Sequence, residues 1–254
     1  MNILAFKLLV TPALILALTL AGRRWGPMVS GLLIGLPLTS GPISCFLAIQ
    51  HGTAFAAQAA IGNLAGQTST LLFCLAYMLL ARRYAWPICT LMACGVFFLS
   101  TWFLNFIVWQ LWPALLAEVA LSLAILHFVR PQRLMSGKLN PPSWDIPARI
   151  GVATLFLLAL TGTSAYLGPQ LSGMLSPFPL FAAIFAAFVY SQQGWKSAVN
   201  LIRGVVIGSW CYSLFFLLVG LLLPRLNIVA SYFLASCASM SLGALIQWFA
   251  LRRR

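Results

Sequence analysis

The chain has 254 residues, 62% of them hydrophobic and 7% charged, with a formal net charge of +13. A soluble domain of this size carries about 25% charged residues, so the composition excludes a water-soluble globular fold. The excess of Lys and Arg sits in short gaps between long apolar runs, where it reads as topology signal and contact with anionic lipid headgroups, not as nucleic-acid binding.

The apolar runs are continuous and rich in Leu and Ala. Strands of a membrane barrel would instead alternate in segments of roughly 10 residues. A helix needs about 20 apolar residues to cross a bilayer, and the sequence meets this length repeatedly. In chain order the spans are expected at 3–21, 27–49, 54–80, 86–104, 109–128, 150–167, 170–190, 197–222 and 227–250. The first is read as a span and not as a cleaved leader, although Lys7, an apolar run and Thr19-Leu20-Ala21-Gly22 superficially suggest one. The fourth and fifth spans are separated by Asn105, Gln110 and Pro113, and a Pro-rich basic loop is expected at 129–149.

With nine spans, Arg23, Arg24, Arg82, Arg83, Arg130, Arg133, Lys138, Arg149, Lys196 and Arg252 to Arg254 all fall on one side. Arg225 and Lys7 fall on the other, and Arg203 lies within a span. The positive-inside rule then places the N-terminus outside and the C-terminus in the cytoplasm.

The sequence also carries a hidden duplication at an offset of 142 residues. Gly26-Pro27 meets Gly168-Pro169, Ser30-Gly31 meets Ser172-Gly173, and Pro37-Leu38 meets Pro179-Leu180. Phe46, Gln50 and Gly52 meet Phe188, Gln192 and Gly194, and Gly62 and Gly66 meet Gly204 and Gly208. The chain therefore divides into a first membrane repeat at 1–104, a linker span with the basic loop at 105–149, and a second repeat at 150–254. An odd number of spans between equivalent elements reverses the second copy. The expected fold is thus all-α: about nine transmembrane helices, in two inverted four-helix repeats joined by a linker helix, an arrangement used by many secondary transporters.

Residues 172–250, from Ser172-Gly173-Met174-Leu175-Ser176-Pro177-Phe178-Pro179 onward, resemble the GlpM-like family of small bacterial inner-membrane proteins. The shared features are the proline pair, the polar Ser191-Gln192-Gln193-Gly194 turn and Arg203 in the following span. The first half is a more diverged copy, with Gly35-Leu36-Pro37 in place of the Ser-Pro-Phe-Pro stretch and Ile61 in place of Arg203. The resemblance implies a bacterial inner membrane and a duplicated four-span unit, and says little about chemistry.

Candidate site residues follow from the prolines. Pro inside a helix removes a backbone hydrogen bond, and the freed carbonyls need partners in lipid. Pro37 in span 2, and Pro177 and Pro179 in span 7, fall near mid-membrane, where paired helix breaks mark transport sites. Thr39, Ser40 and Ser44 adjoin the first break. Asn63, Gln67, Asn200 and Ser209 are expected to line the same cavity. Arg203 is expected to pair with Glu118, the only acidic residue inside a span, to face a cavity and take an anionic group, or to snorkel to the cytoplasmic interface. Glu118 is the candidate coupling residue. Gly62-x-x-x-Gly66 and Gly204-x-x-x-Gly208 are expected to bring their two spans together.

His51 and His127 lie at opposite faces, and no nucleophile, base and orienter come together, so no enzyme, metal or cofactor is expected. The six cysteines lie in apolar runs without a CxxC pair and read as small buried hydrophobes. Trp25, Trp86, Trp109, Trp112, Trp144 and Trp195 fit an interfacial belt. The expected function is a secondary transporter or flippase for a small anionic or amphiphilic substrate, acting by alternating access. The alternative is a non-catalytic membrane subunit assembling with an envelope polysaccharide or lipid system. The expected partners are membrane lipids, a small-molecule substrate, and a second copy or a membrane partner subunit.

Overall fold

The computed structural model describes residues 3–133, 142–155 and 178–252. The described residues are helical, without strands: α1 (Ile3–Trp25), α2 (Pro27–Ile34), α3 (Ser40–His51), α4 (Thr53–Leu80), α5 (Trp86–Leu104), α6 (Leu111–Phe128), α7 (145–155), α8 (Leu180–Gln193), α9 (Trp195–Leu222) and α10 (Ile228–Arg252). Five of them, α4, α5, α6, α9 and α10, are long and apolar enough to cross a membrane. Most of span 6 and the first part of span 7 as expected from sequence, residues 156–177, fall outside the described residues, Pro177 among them, as does Lys138.

Span 2 is broken at the expected proline: residues 35–39, around Pro37, leave the helical path between α2 and α3. One expectation changes. The loop at 129–149 ends early, because α7 already begins at 145. Asp145 favours that start: a carboxylate suits the positive end of a helix, and its i,i+4 partner Arg149 donates to it at 2.8 Å.

The helix boundaries repeat with the offset seen in the sequence. Thr53 and Leu80 bound α4 as Trp195 and Leu222 bound α9, and α5 starts at Trp86 as α10 starts at Ile228. Gly52 (φ 88, ψ 168) and Gly194 (φ 80, ψ 172) link the preceding helix to α4 and α9 with the same left-handed turn. Only glycine adopts that conformation without strain. The equivalent helices α4 and α9 run antiparallel: Gly220 lies near Ala60, and Tyr212 near Asn63, while the turn after α4 meets the end of α8 that leads into α9.

The core is built around α9, which touches α2, α4, α6, α8 and α10. In the apolar windows of α4 and α9, 61% and 56% of residues are buried, against 22% in α5 and α6, so α4 and α9 are central and the others face outward. Exposed Leu91, Leu99, Phe103, Leu116, Phe233 and Met240 give those outer helices a surface suited to lipid chains, not water.

The closest helix pair is α2 on α9, and glycine makes it possible. A Cβ at Gly31, Gly204 or Gly208 would run into the carbonyls of Leu201, Met28 and Leu32 respectively. One at Gly35 would lie 2.7 Å from both Gly208 Cα and Val205 O. Backbones approach this closely only where side chains are absent. The two spans that carry the GxxxG stretches, α4 and α9, do pack on each other, but the tight backbone approach of Gly204 and Gly208 is to the α2 segment. Gly204 lies against Met28 and Leu32 of α2, and Gly208 against Leu32 and Gly35, whereas Gly62 has nothing within 4 Å of where its Cβ would be.

Candidate functional site

Two kinds of polar feature lie within this apolar bundle, one at the basic end and one extending from mid-membrane toward the opposite end.

At the basic end, Asp145 is 1% exposed and accepts from Arg149 Nε at 2.8 Å, Arg23 Nη2 at 3.0 Å and Gln192 Nε2 at 2.6 Å. Burial disfavours its charge, but the donors from Arg149, Gln192 and Arg23 more than offset that, so its carboxyl titrates below the ordinary range. The Arg149 guanidinium, in turn, lies 4.9 and 5.0 Å from the ring centres of Phe185 and Phe188, and burial pulls its pKa down. Tyr190 on α8 donates to Tyr84 O at 3.0 Å, tying α8 to the turn after α4.

Arg203 and Asn200, one turn apart on α9, also act at this end. Arg203 Nη1 donates to Leu126 O at 3.0 Å and to Val129 O. Asn200 takes the backbone of Gln132 at both edges, each contact 2.8 Å. The last carbonyls of a helix have no partner within it, and a cationic side chain there satisfies them and suits the helix dipole. Arg203 and Asn200 therefore fasten the end of α6. Arg203 is thus bonded to backbone at the basic end, not to Glu118, and it lines none of the described cavities.

Deeper in the bundle a polar seam follows α9 and its neighbours. Tyr212 donates to Asn63 Oδ1 at 2.9 Å and has the Ser40 hydroxyl beside it. Ser44 and Tyr232 share a hydrogen bond of 2.7 Å. Trp210 Nε1 donates to Ser122 Oγ at 2.9 Å. Glu118 is 0% exposed; one of its oxygens meets Ser213 Oγ, and the other has no partner. Ser213 Oγ also donates to Ser209 O at 2.7 Å. One hydroxyl carries one proton, so Ser213 shares it between the Glu118 carboxyl and the Ser209 carbonyl.

Beside the seam lies a cavity of about 470 Å³ between α3, α4, the end of α5 and the 105–109 link. Its wall is mainly apolar, with Leu47, Phe55, Ile107 and Trp109, and contains Asn63, Gly62 and Gly66. Ser69 and Thr101, in the same wall, carry buried hydroxyls without a partner. An unpaired buried hydroxyl costs about 1–3 kcal/mol, and two of them in one wall make it suited to a ligand with polar groups. No Asp, Glu, Lys or Arg lines the cavity.

Of the residues expected from sequence, the structure thus brings Ser40 and Asn63 together through Tyr212. The segment holding Pro37 and Thr39 adjoins them in the chain, with Pro37 O accepting from Gly41 and Thr39 O from Ile43. Pro179 precedes α8 and its carbonyl accepts from Ala183 at 2.8 Å. Gln67, 4% exposed, is one turn beyond Asn63 on α4. Tyr212, Tyr232, Ser69 and Thr101 were not singled out by the sequence, where a Tyr or Ser in an apolar run has no distinguishing signal. Among the described residues no group of three or more His, Cys, Asp or Glu comes together.

The chain matches no protein-family model, no curated protein and no solved structure. Its own geometry defines an all-helical membrane protein with a broken helix and a buried polar seam.

Proposed function

We propose that the protein is a small secondary transporter or flippase for an amphiphilic substrate, working by alternating access in a bacterial inner membrane. In this reading the chain crosses nine times, with its basic end in the cytoplasm and its N-terminus outside, and its two four-helix repeats are inverted. The antiparallel course of α4 and α9, with matching boundaries, supports the inversion. The GlpM-like resemblance of 172–250 bears only on the bacterial membrane.

The observation that carries the reading is the unwound 35–39 segment in the middle of a span. It lies against the backbone of α9 at one edge and leads into the Ser40–Tyr212–Asn63 contacts at the other. Irregular backbone at membrane depth is tolerated where protein or a cavity covers it, and such breaks between repeats are where transporters bind substrate. The cavity beside Asn63 has an apolar wall with a few hydroxyl and amide groups, so it suits an amphiphile through its uncharged part. Glu118 is the coupling residue: it holds a proton against Ser213 in one state and releases it when α6 and α9 move apart.

The test does not require knowledge of the substrate. Gly62 opens to the cavity, so Gly62→Cys in a cysteine-free background reports access to it. Membrane-impermeant maleimide should label it from outside in intact cells. Adding Asp145→Asn, which cuts ties at the basic end, should lower labelling from outside and raise it from the cytoplasmic side in inverted vesicles. Labelling from one side only, unchanged by Asp145→Asn, would refute alternating access and favour a non-transporting subunit.

A further inference from the structure

A second cavity, of about 280 Å³, lies at the basic end between α1, α2, α7, α8 and α9. We infer that it is a binding site for a phosphate-type oxyanion headgroup, held by Arg23 and Arg149 with the Thr19 hydroxyl, and distinct from the cavity beside Asn63.

The charge balance comes first. Arg23 and Arg149 both line the cavity, and Asp145 is the one carboxylate between them. The chain has two acidic residues in all, and the other, Glu118, is engaged with Ser213 between α6 and α9. The cavity wall therefore keeps a net positive charge that no other side chain of this protein can neutralise. Asp145 is fully occupied by three donors. Its effect is to hold the two guanidiniums in place. Preorganised guanidinium groups are the usual means of recognising phosphate oxygens.

The second, independent observation is Thr19. It is 4% exposed, lines the same cavity, and its Oγ1 has no hydrogen-bond partner. A buried hydroxyl in a wall that already carries two guanidiniums completes a donor set for an anion. Arg149 is also kept inward. It is 3% exposed and stacked on Phe185 and Phe188, so it does not turn toward bulk water as a lone arginine at an interface would.

The rest of the wall is mixed, with the polar Ser30, Gln192 and Gln193 beside the apolar Leu18, Pro27, Val189 and Leu201. Ligand pockets usually measure about 300–1,000 Å³, so this one takes a headgroup and the first carbons attached to it, not a whole lipid. The same chemistry is offered by an anionic phospholipid of the cytoplasmic leaflet and by a soluble organic phosphate. The site does not depend on the transport reading: it would serve equally to anchor a lipid or to collect a phosphorylated solute.

The test uses the full-length protein, purified in a neutral detergent, with two probes: dioleoylphosphatidylglycerol, compared with dioleoylphosphatidylcholine, and glycerol 3-phosphate. Retention is read by native mass spectrometry, and binding by the shift in unfolding temperature. Phosphatidylglycerol should bind at least about ten-fold more tightly than phosphatidylcholine. Arg23→Gln should remove about ten-fold of that preference, and Thr19→Val a few-fold. Arg24→Gln, at an exposed arginine that does not line the cavity, should change nothing. Competition by glycerol 3-phosphate, or its binding alone, identifies a soluble ligand; phosphatidylglycerol binding that it cannot displace identifies the bilayer as the source. Equal binding of the two lipids with no glycerol 3-phosphate binding overturns the site. So does an Arg24→Gln loss as large as that of Arg23→Gln, which would reduce the effect to general surface charge. Should Arg23→Gln fail to fold, Thr19→Val decides alone, because it removes one hydroxyl and keeps the volume.

Discussion

The two ends of the bundle are held differently. At the basic end, side chains tie distant parts of the sequence together: Arg23 and Gln192 to Asp145, Tyr190 to Tyr84, Asn200 to Gln132, and Arg203 to the end of α6. Toward the opposite end the described side-chain bonds between distant parts of the sequence involve no charged group, Ser44 with Tyr232 and Tyr212 to Asn63; the bonds at the helix ends are local, Trp109 to Leu104 and Asn227 with Ala230 and Ser231, and the larger cavity lies on that side. One end is thus fastened by an ion-pair cluster and bonds to open backbone groups, and the other by a few uncharged hydrogen bonds within apolar packing. In the alternating-access reading this is a state closed toward the cytoplasm.

The largest expected effect concerns the glycines at the centre, where the two copies of the duplication part company. Gly204→Leu places a side chain into the Met28 carbonyl and should cost about 3 kcal/mol or more, enough to lose folded protein. Gly62→Leu, at the equivalent position of α4, meets open space and should change stability by less than about 0.5 kcal/mol. Fluorescence-detected size exclusion with a heating step compares the pair directly. Equal losses would show that α4 is as tightly covered at Gly62 as α9 is at Gly204.

Next in size is Asp145. Removing one partner from a buried ion pair costs about 3–5 kcal/mol; Arg23 is 34% exposed and can turn to water, so Asp145→Asn should cost about 2–3 kcal/mol. The pH dependence has a definite sign. The folded carboxyl titrates below its unfolded value of about 3.9, so its contribution is full above that pH and is lost as pH falls through the folded pKa. Wild-type stability should therefore drop below about pH 4 more steeply than that of Asp145→Asn. Parallel acid profiles for the two would remove Asp145 from the account of why this end is closed.

The sequence showed the helical membrane class plainly, because long apolar runs admit no other reading. Helix boundaries in the second half of each copy were also legible, since Gly52 and Gly194 stand where a left-handed turn is required. What it hid were partners across helices. Arg203 looked like a functional charge because a lone arginine in an apolar run is costly, and nothing in the sequence reveals that the open carbonyls of Leu126 and Val129 lie opposite it. The GxxxG stretches were visible as close-packing surfaces, but the backbone that meets Gly204 and Gly208 is that of Met28, Leu32 and Gly35, and spacing alone does not select a mate. Asp145 was read as part of a loop, since its three donors come from positions as distant as Arg23 and Gln192.

The smallest expected effects distinguish holding a fold from performing a function, and they fall on the polar seam. Tyr212→Phe removes one hydroxyl, which donates to Asn63, and should cost about 1 kcal/mol. Glu118→Gln should cost no more than that, because the amide oxygen can still accept from Ser213, whereas Glu118→Ala removes that acceptor and empties buried space. The contrast is informative because a carboxyl kept only to hold α6 on α9 is replaced by Gln at no loss. If Gly62→Cys still changes sides of access upon Asp145→Asn when Glu118→Gln is present, but no longer responds to a pH step across the membrane, then Glu118 couples protons to the movement. If the pH response is retained, the seam is structural, and the driving ion acts elsewhere in the bundle.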